Sequence, residues 1–128
     1  MKSEAKRAGW TLALCVLLAA PASAAEYAAV PYVTGIDQPW SMVWLPDGEM
    51  LVAEKSGAIH RVRGRNLVGR LKGVPEVHDN GQGGLMEIAL HPKFAENRVV
   101  YLTYSSPEGG GGSNTALMRA ELRDGTLL

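Results

Sequence analysis

The chain holds a single cysteine, Cys15, and it lies within the first apolar run. Beyond residue 24 there is none, which excludes disulfide staples and thiolate metal sites and leaves stability to packing. Neither sign of charge dominates. After residue 24, ten basic residues stand against twelve acidic ones, a formal charge of −2. That balance gives no attraction toward nucleic acid or an anionic membrane. The chain also lacks an apolar run of about 20 residues, the length a membrane-spanning helix needs. The glycine run Gly109–Gly112 is not a phosphate loop, because no Lys-Ser/Thr pair or helix start follows it. Little of the chain after residue 24 reads as helix.

What is there begins with an export signal. Lys2, Lys6 and Arg7 give a positive start, opposed only by Glu4, and Gly9 to Ala20 is uncharged and almost wholly apolar. Pro21 breaks that run, and Ala22-Ser23-Ala24 supplies the small-residue site that a signal peptidase reads. The expectation is a signal-peptide helix over residues 1–24, cleaved after Ala24. The remaining 25–128 would then be a periplasmic or secreted domain with no membrane anchor. Cys15 is not a lipid site in this reading: Leu14 precedes it, and Val16-Leu17-Leu18 carries the apolar run past it.

The remaining 104 residues read as strands and turns. Ser41 to Leu45 is a short apolar run that ends at the turn Pro46-Asp47-Gly48, and Met50 to Ala53 follows at once as the second arm of a hairpin. Ser56-Gly57 turns again, Ala58 to Arg63 alternates, and Leu67 to Leu71 is a fourth, weaker strand. Arg61, Arg63, Arg65, Arg70 and Lys72 then form the wet face of these strands. A second set begins at Leu85–Leu90 and continues through Arg98–Tyr104, rich in β-branched and aromatic residues. Gly109 to Ser113 is read as a flexible connector, Thr115 to Leu122 as a third strand, and Thr126 to Leu128 as the start of a fourth.

The two sets resemble each other. Trp44-Leu45-Pro46 and Ala89-Leu90-His91-Pro92 occupy matching places, with the prolines 46 residues apart. A repeat of about 40–50 residues, each with four short strands, is the pattern of propeller blades. On spacing alone, a single all-β sandwich stays open as the other arrangement.

Residues 38–104 carry a more specific likeness. Gln38-Pro39-Trp40-Ser41-Met42-Val43-Trp44-Leu45-Pro46-Asp47-Gly48 leads to Leu51-Val52-Ala53-Glu54-Lys55-Ser56-Gly57. Gly73-Val74-Pro75 and Gly81-Gln82-Gly83-Gly84-Leu85-Met86 follow, then Ala89 to Arg98 and Val100 to Tyr104. In this order and spacing the segments resemble the opening of the soluble aldose, glucose and sorbosone dehydrogenases that use pyrroloquinoline quinone (PQQ). The resemblance implies an all-β, six-bladed β-propeller of which this chain holds the first two blades. At the usual blade size a six-bladed ring needs roughly 240–270 residues, so the ring would be incomplete here.

The resemblance also implies chemistry. PQQ and calcium would sit at the axial mouth, and an aldose sugar would be oxidised at C1 by hydride transfer to the quinone. A histidine base would take the hydroxyl proton, calcium would polarise the quinone oxygens, and an external electron acceptor would complete the cycle. The base and the calcium ligands lie further toward the C-terminus in the family. The chain of 128 residues is therefore expected to be inactive by itself and to hold neither cofactor well.

One pocket residue carries over. Gln82, between Gly81 and Gly83, matches the glutamine close to quinone and sugar, where an amide can both donate and accept. Its flanking glycines would let backbone approach a ligand; the plainer reading is that Gln82 closes a turn. His91 before Pro92 matches a structural position, although Lys93 departs from the aspartate often found there. His60 is expected to be solvated. His78, beside Asp79 and Asn80, lies near the expected mouth, but Asn80-Gly81 reads more simply as a turn. A secreted, quinone-free propeller that binds a glycan or a protein is the alternative function, and a self-standing all-β structural domain is a third.

Overall fold

Short runs separated by glycine turns fold as successive hairpins. The computed structural model describes residues 27–128. The expected signal peptide, Cys15 and the boundary at Ala25 lie outside the described residues. The first sheet contains β1 (Pro39–Trp44), β2 (Met50–Glu54), β3 (Ile59–Arg63) and β4 (Asn66–Arg70), neighbours in that order and antiparallel throughout. The Pro46-Asp47-Gly48 turn closes as expected: Gly48 donates to the Leu45 carbonyl at 3.0 Å, and Leu45 donates to Glu49 at 2.8 Å.

The second sheet repeats this order with β5 (Leu85–Leu90), β6 (Val99–Pro107), β7 (Ser113–Arg123) and β8 (Thr126–Leu127). It differs from the sequence reading in the extent of one hairpin and in one added helical turn, while the strand expected from Thr126 is present. β6 and β7 run on into the glycine stretch and form one long hairpin paired from Val99–Glu121 to Pro107–Ser113. The strand at Thr126 completes the sheet, pairing with Leu122 and Arg123. A single helical turn, α1 (Phe94–Asn97), separates β5 from β6.

The turn α1 is held by His91. Its Nδ1 accepts from the Lys93 backbone and the Asn97 side chain, each at 2.9 Å, and its ring stacks on Tyr101. Arg98 ends the turn in the left-handed region, φ 55°, and returns a hydrogen bond to the Phe94 carbonyl. The histidine is thus structural, as its place before Pro92 suggested.

The sheets stack through one core. Leu45, Leu51, Ala53, Ile59 and Leu71 from the first meet Ile88, Val100, Leu102, Ala120 and Leu122 from the second, with Phe94 added by α1. Each fully buried aliphatic side chain contributes roughly 1.5–3 kcal/mol relative to exposure. The first strands, β1 and β5, lie against each other. Lys72, just beyond β4, crosses to the far edge of the second sheet, donating to Gly125 and accepting from Leu127, each at 2.9 Å. Two four-stranded antiparallel sheets sharing one seam are a propeller-like arrangement.

Candidate functional site

The segment from His78 to Gly84 enters β5 and is anchored on both sides. His78 donates to the Ser105 carbonyl at 2.7 Å, and Ser105 donates back to Gly84 at 2.8 Å. From the first sheet, the Lys55 carbonyl accepts from Leu85 at 2.9 Å, while the Lys55 backbone donates to Gln38 at 3.1 Å. Between these anchors Asn80 to Gly83 is a tight turn, closed by Gly83 donating to Asn80 at 2.8 Å, with Gly81 at φ 57°. The Asn80-Gly81 turn is therefore present as read from the sequence.

Gln82 is exposed on this turn, and its amide makes no side-chain hydrogen bond to another described residue. The glycines after it serve a purpose the sequence reading missed. A side chain at Gly84 would run into the Lys55 carbonyl and stem, at a φ of 141° that side-chain-bearing residues rarely adopt. One at Gly83 would press on the His78 and Asn80 carbonyls and on Ser105 Oγ. Their small size lets the loop pack against its own neighbours, while Gly81 faces open space.

The remaining histidines separate clearly. His78 is half-buried beside the turn, with its backbone committed to Ser105. His60 corrects the expectation of a solvated side chain: it is 3% exposed, and Nε2 lies 2.6 Å from Glu54 Oε2. Ser56 Oγ donates to the other Glu54 oxygen at 2.5 Å. The Ser56 hydroxyl first, and His60 after it, hold the Glu54 carboxyl below the ordinary range against the opposing effect of burial. His60 lies opposite Val52 in the register and shares a face of the sheet with the buried Met50, Val52 and Val62. The available signal was the hairpin itself, which folds His60 back beside Glu54.

Sequence reasoning also treated Arg61 as a solvated charge. Its guanidinium instead forks onto Glu49, Nε to Oε1 at 2.6 Å and Nη2 to Oε2 at 3.0 Å, and Arg63 adds a bond at 2.9 Å. Glu49 is 2% exposed. This cluster lies at the β1–β2 turn, five residues along β2 from Glu54, and lines a groove of about 360 Å³ with Asp47, Arg98 and Asp124. Its charges are largely satisfied by each other. Among the described residues, no group of three or more His, Cys, Asp or Glu side chains could hold a metal ion.

What the Gln82 turn can do chemically is modest and definite. It presents one amide, able to donate and accept, on backbone fixed from both sheets, with the Lys55–Asp79 ion pair beside it at 2.5 Å. That pair went unread, since nothing local links residues 24 apart.

Comparison with known proteins adds context to this geometry. The family model described as Glucose / Sorbosone dehydrogenase matches residues 36–127, spanning both sheets. The aldose sugar dehydrogenase YliI of Escherichia coli is 38% identical over 91 residues, covering 70% of this chain and 24% of that protein. A crystal structure of a glucose dehydrogenase superposes with a TM-score of 0.69 at 36% identity, over 73% of this chain and 28% of its own. The PQQ-bound form of an aldose sugar dehydrogenase from Streptomyces coelicolor superposes at 0.64 with 30% identity, over 74% of this chain and 28% of its own. The chain spans less than a quarter of the length of the curated relatives it matches, 22% and 24% for two of them.

Proposed function

This chain belongs to the glucose/sorbosone dehydrogenase family, and from that premise we propose that it contributes the first two blades of a six-bladed propeller that oxidises aldose sugars at C1. The observation that carries the reading is the family match across both sheets, with Gln82 presented uncommitted on the turn into β5. A relative with PQQ bound supports the choice of cofactor.

The residues present fit one edge of such a cofactor. Gln82 is the side chain assigned to it, through an amide that can hydrogen-bond a quinone oxygen and a sugar hydroxyl together. PQQ, when bound, supplies the two-electron acceptor for the C1 hydride. A base would take the proton of the sugar hydroxyl as the hydride leaves C1. We assign neither the base nor the calcium ligands to residues 27–128. His60 is committed to Glu54 and His91 to the turn at α1. The role of Gln82 is positional: it fixes the donor carbon relative to the acceptor.

The test is Gln82→Ala in the protein as its gene encodes it, with quinone titration, sugar kinetics and thermal melting measured together. One hydrogen bond to an oriented ligand is worth about 1–3 kcal/mol, so quinone affinity or turnover should fall roughly tenfold to a hundredfold at unchanged melting temperature. Unchanged kinetics with a lower melting temperature would reassign Gln82 to turn structure. We further propose export to the periplasm with maturation after Ala24, supported by the charged start, apolar run and Ala22-Ser23-Ala24. N-terminal sequencing of periplasmic protein should then read Ala25, and intact Met1 in the membrane fraction would refute it.

A further inference from the structure

We propose that Lys55 is a positioning residue for Gln82, acting from the first sheet on a loop of the second through its ion pair with Asp79. The inference rests on the reading of Gln82 given above, and it starts from what holds the loop. The backbone bonds to Ser105 pin the loop at His78 and at Gly84, its two ends. Between them the chain makes the Asn80–Gly83 turn that carries Gln82. Among the described residues, the only side-chain hydrogen bond made by residues 78–84 is the one Asp79 accepts from Lys55 Nζ at 2.5 Å.

Lys55 is unusually constrained for a lysine in a hairpin turn. Its side chain is 13% exposed, against 35% for Asp79. Its stem occupies the space that a Gly84 side chain would fill, and its backbone bridges Gln38 and Leu85. Ordering a long, flexible side chain costs entropy; the Lys55 stem is already packed against Gly84, so less of that cost opposes the pair. Asp79 sits between the His78 anchor and the turn, so the pair sets the direction in which the turn leaves the sheet. Gln82 is then placed by the stacking of the two sheets, not by its own strand alone.

The test uses the whole protein, first without cofactor. Lys55→Met keeps the stem and removes the charge; Asp79→Asn removes the other end; Lys55→Arg preserves the cation. Hydrogen exchange at the Gly83 amide, which donates to Asn80, should accelerate about fivefold in Lys55→Met and in Asp79→Asn, and no further in the double variant, as one lost pair predicts. Lys55→Arg should restore the wild-type rate. With PQQ and calcium added, quinone affinity read by absorbance should weaken by a similar factor in Lys55→Met while the melting temperature holds. Wild-type exchange in Lys55→Met, additive single effects, or no rescue by arginine would overturn the proposal. Accelerated exchange together with unchanged quinone affinity in Gln82→Ala would uphold the tie and overturn the assignment of Gln82, so the two failures read differently.

Discussion

In the first sheet, Leu51 and Ala53 turn toward the second sheet while Met50 and Val52 turn away, and both sets are buried. In the second sheet the alternation is one-sided: Val100 and Leu102 are buried, but Tyr101 and Thr103 on the opposite face are half-buried. The outward neighbours differ in kind as well. Trp40, Met42 and Trp44 project from β1, whereas Glu87, Arg119 and Glu121 line the outer face of the second sheet beside Leu117. A sheet whose strands are apolar on both faces is built to lie between two layers.

The segment before β1 supplies part of a second layer. Val33 and Ile36 pack on Met50, Val52 and Val62, and Arg65 ties the segment down by donating to the Pro31 and Tyr32 carbonyls. A groove of about 430 Å³ remains between Tyr32, Ile36, Met42, Trp44 and Met50. Contiguous apolar surface of this kind marks a place where something else packs. In the ring we propose, that is a further blade.

The largest expected effect lies at the shared seam. Leu51 is fully buried between the sheets, and Leu51→Ala should cost about 3 kcal/mol through lost burial and the cavity left behind. Met42 is 63% exposed on the other side of the same sheet, and Met42→Ala should cost about 0.5 kcal/mol or less. Urea denaturation of both variants measures the contrast. Equal costs would mean that the outer face of the first sheet is covered as fully as the seam.

A second contrast concerns acid. Arg61 first, then Arg63, hold the Glu49 carboxyl below its ordinary value near 4.5, against the upward push of burial. Because the folded state binds this proton less readily than the unfolded state, the pairing stabilises the fold above about pH 4.5 and is lost as pH falls through the depressed folded value. Glu49→Gln should therefore cost about 2 kcal/mol at pH 7 and less at an acid pH below 4.5. The second sheet's pair, Glu121 with Arg123, is solvent-exposed, and Arg123→Gln should leave the urea midpoint unchanged at both pH values. A Glu49→Gln deficit that persists undiminished at low pH would show that shape, not charge, is what Glu49 contributes.

The parts legible in the sequence are those written locally. Pro46-Asp47-Gly48 marked the first hairpin, the limits of β5 were read to the residue, and the matched prolines signalled two sets of strands. The turn at Asn80-Gly81 and the structural role of His91 were local too. What stayed hidden depends on neighbours distant in sequence. The alternation of β3 marks His60 as outward-facing and cannot reveal that the first sheet has no fully wet face. Four residues are too few for a helical period, so α1 left no trace. The pairing of Lys55 with Asp79 and the tight fit of Gly84 exist only once the two sheets are stacked.

The smallest effect gives the finest test of the difference between the outer faces. Trp44 lies edge-on to Tyr32 with ring centroids 5.6 Å apart, so it contributes packing even though it is partly exposed. Such an aromatic pair is worth about 0.5–1.5 kcal/mol, and Trp44→Gln should destabilise by about 1 kcal/mol. Leu117, on β7, is 69% exposed on the face that also carries Glu87, Arg119 and Glu121. Leu117→Gln removes a contact that the folded chain scarcely makes and should shift stability by no more than about 0.5 kcal/mol in either direction. Both substitutions introduce the same polar group on an outer face, so thermal melts of the two variants under one condition compare the faces directly. A cost for Leu117→Gln equal to that of Trp44→Gln would mean that the outer face of the second sheet is also packed, and the asymmetry between the sheets would have to be abandoned.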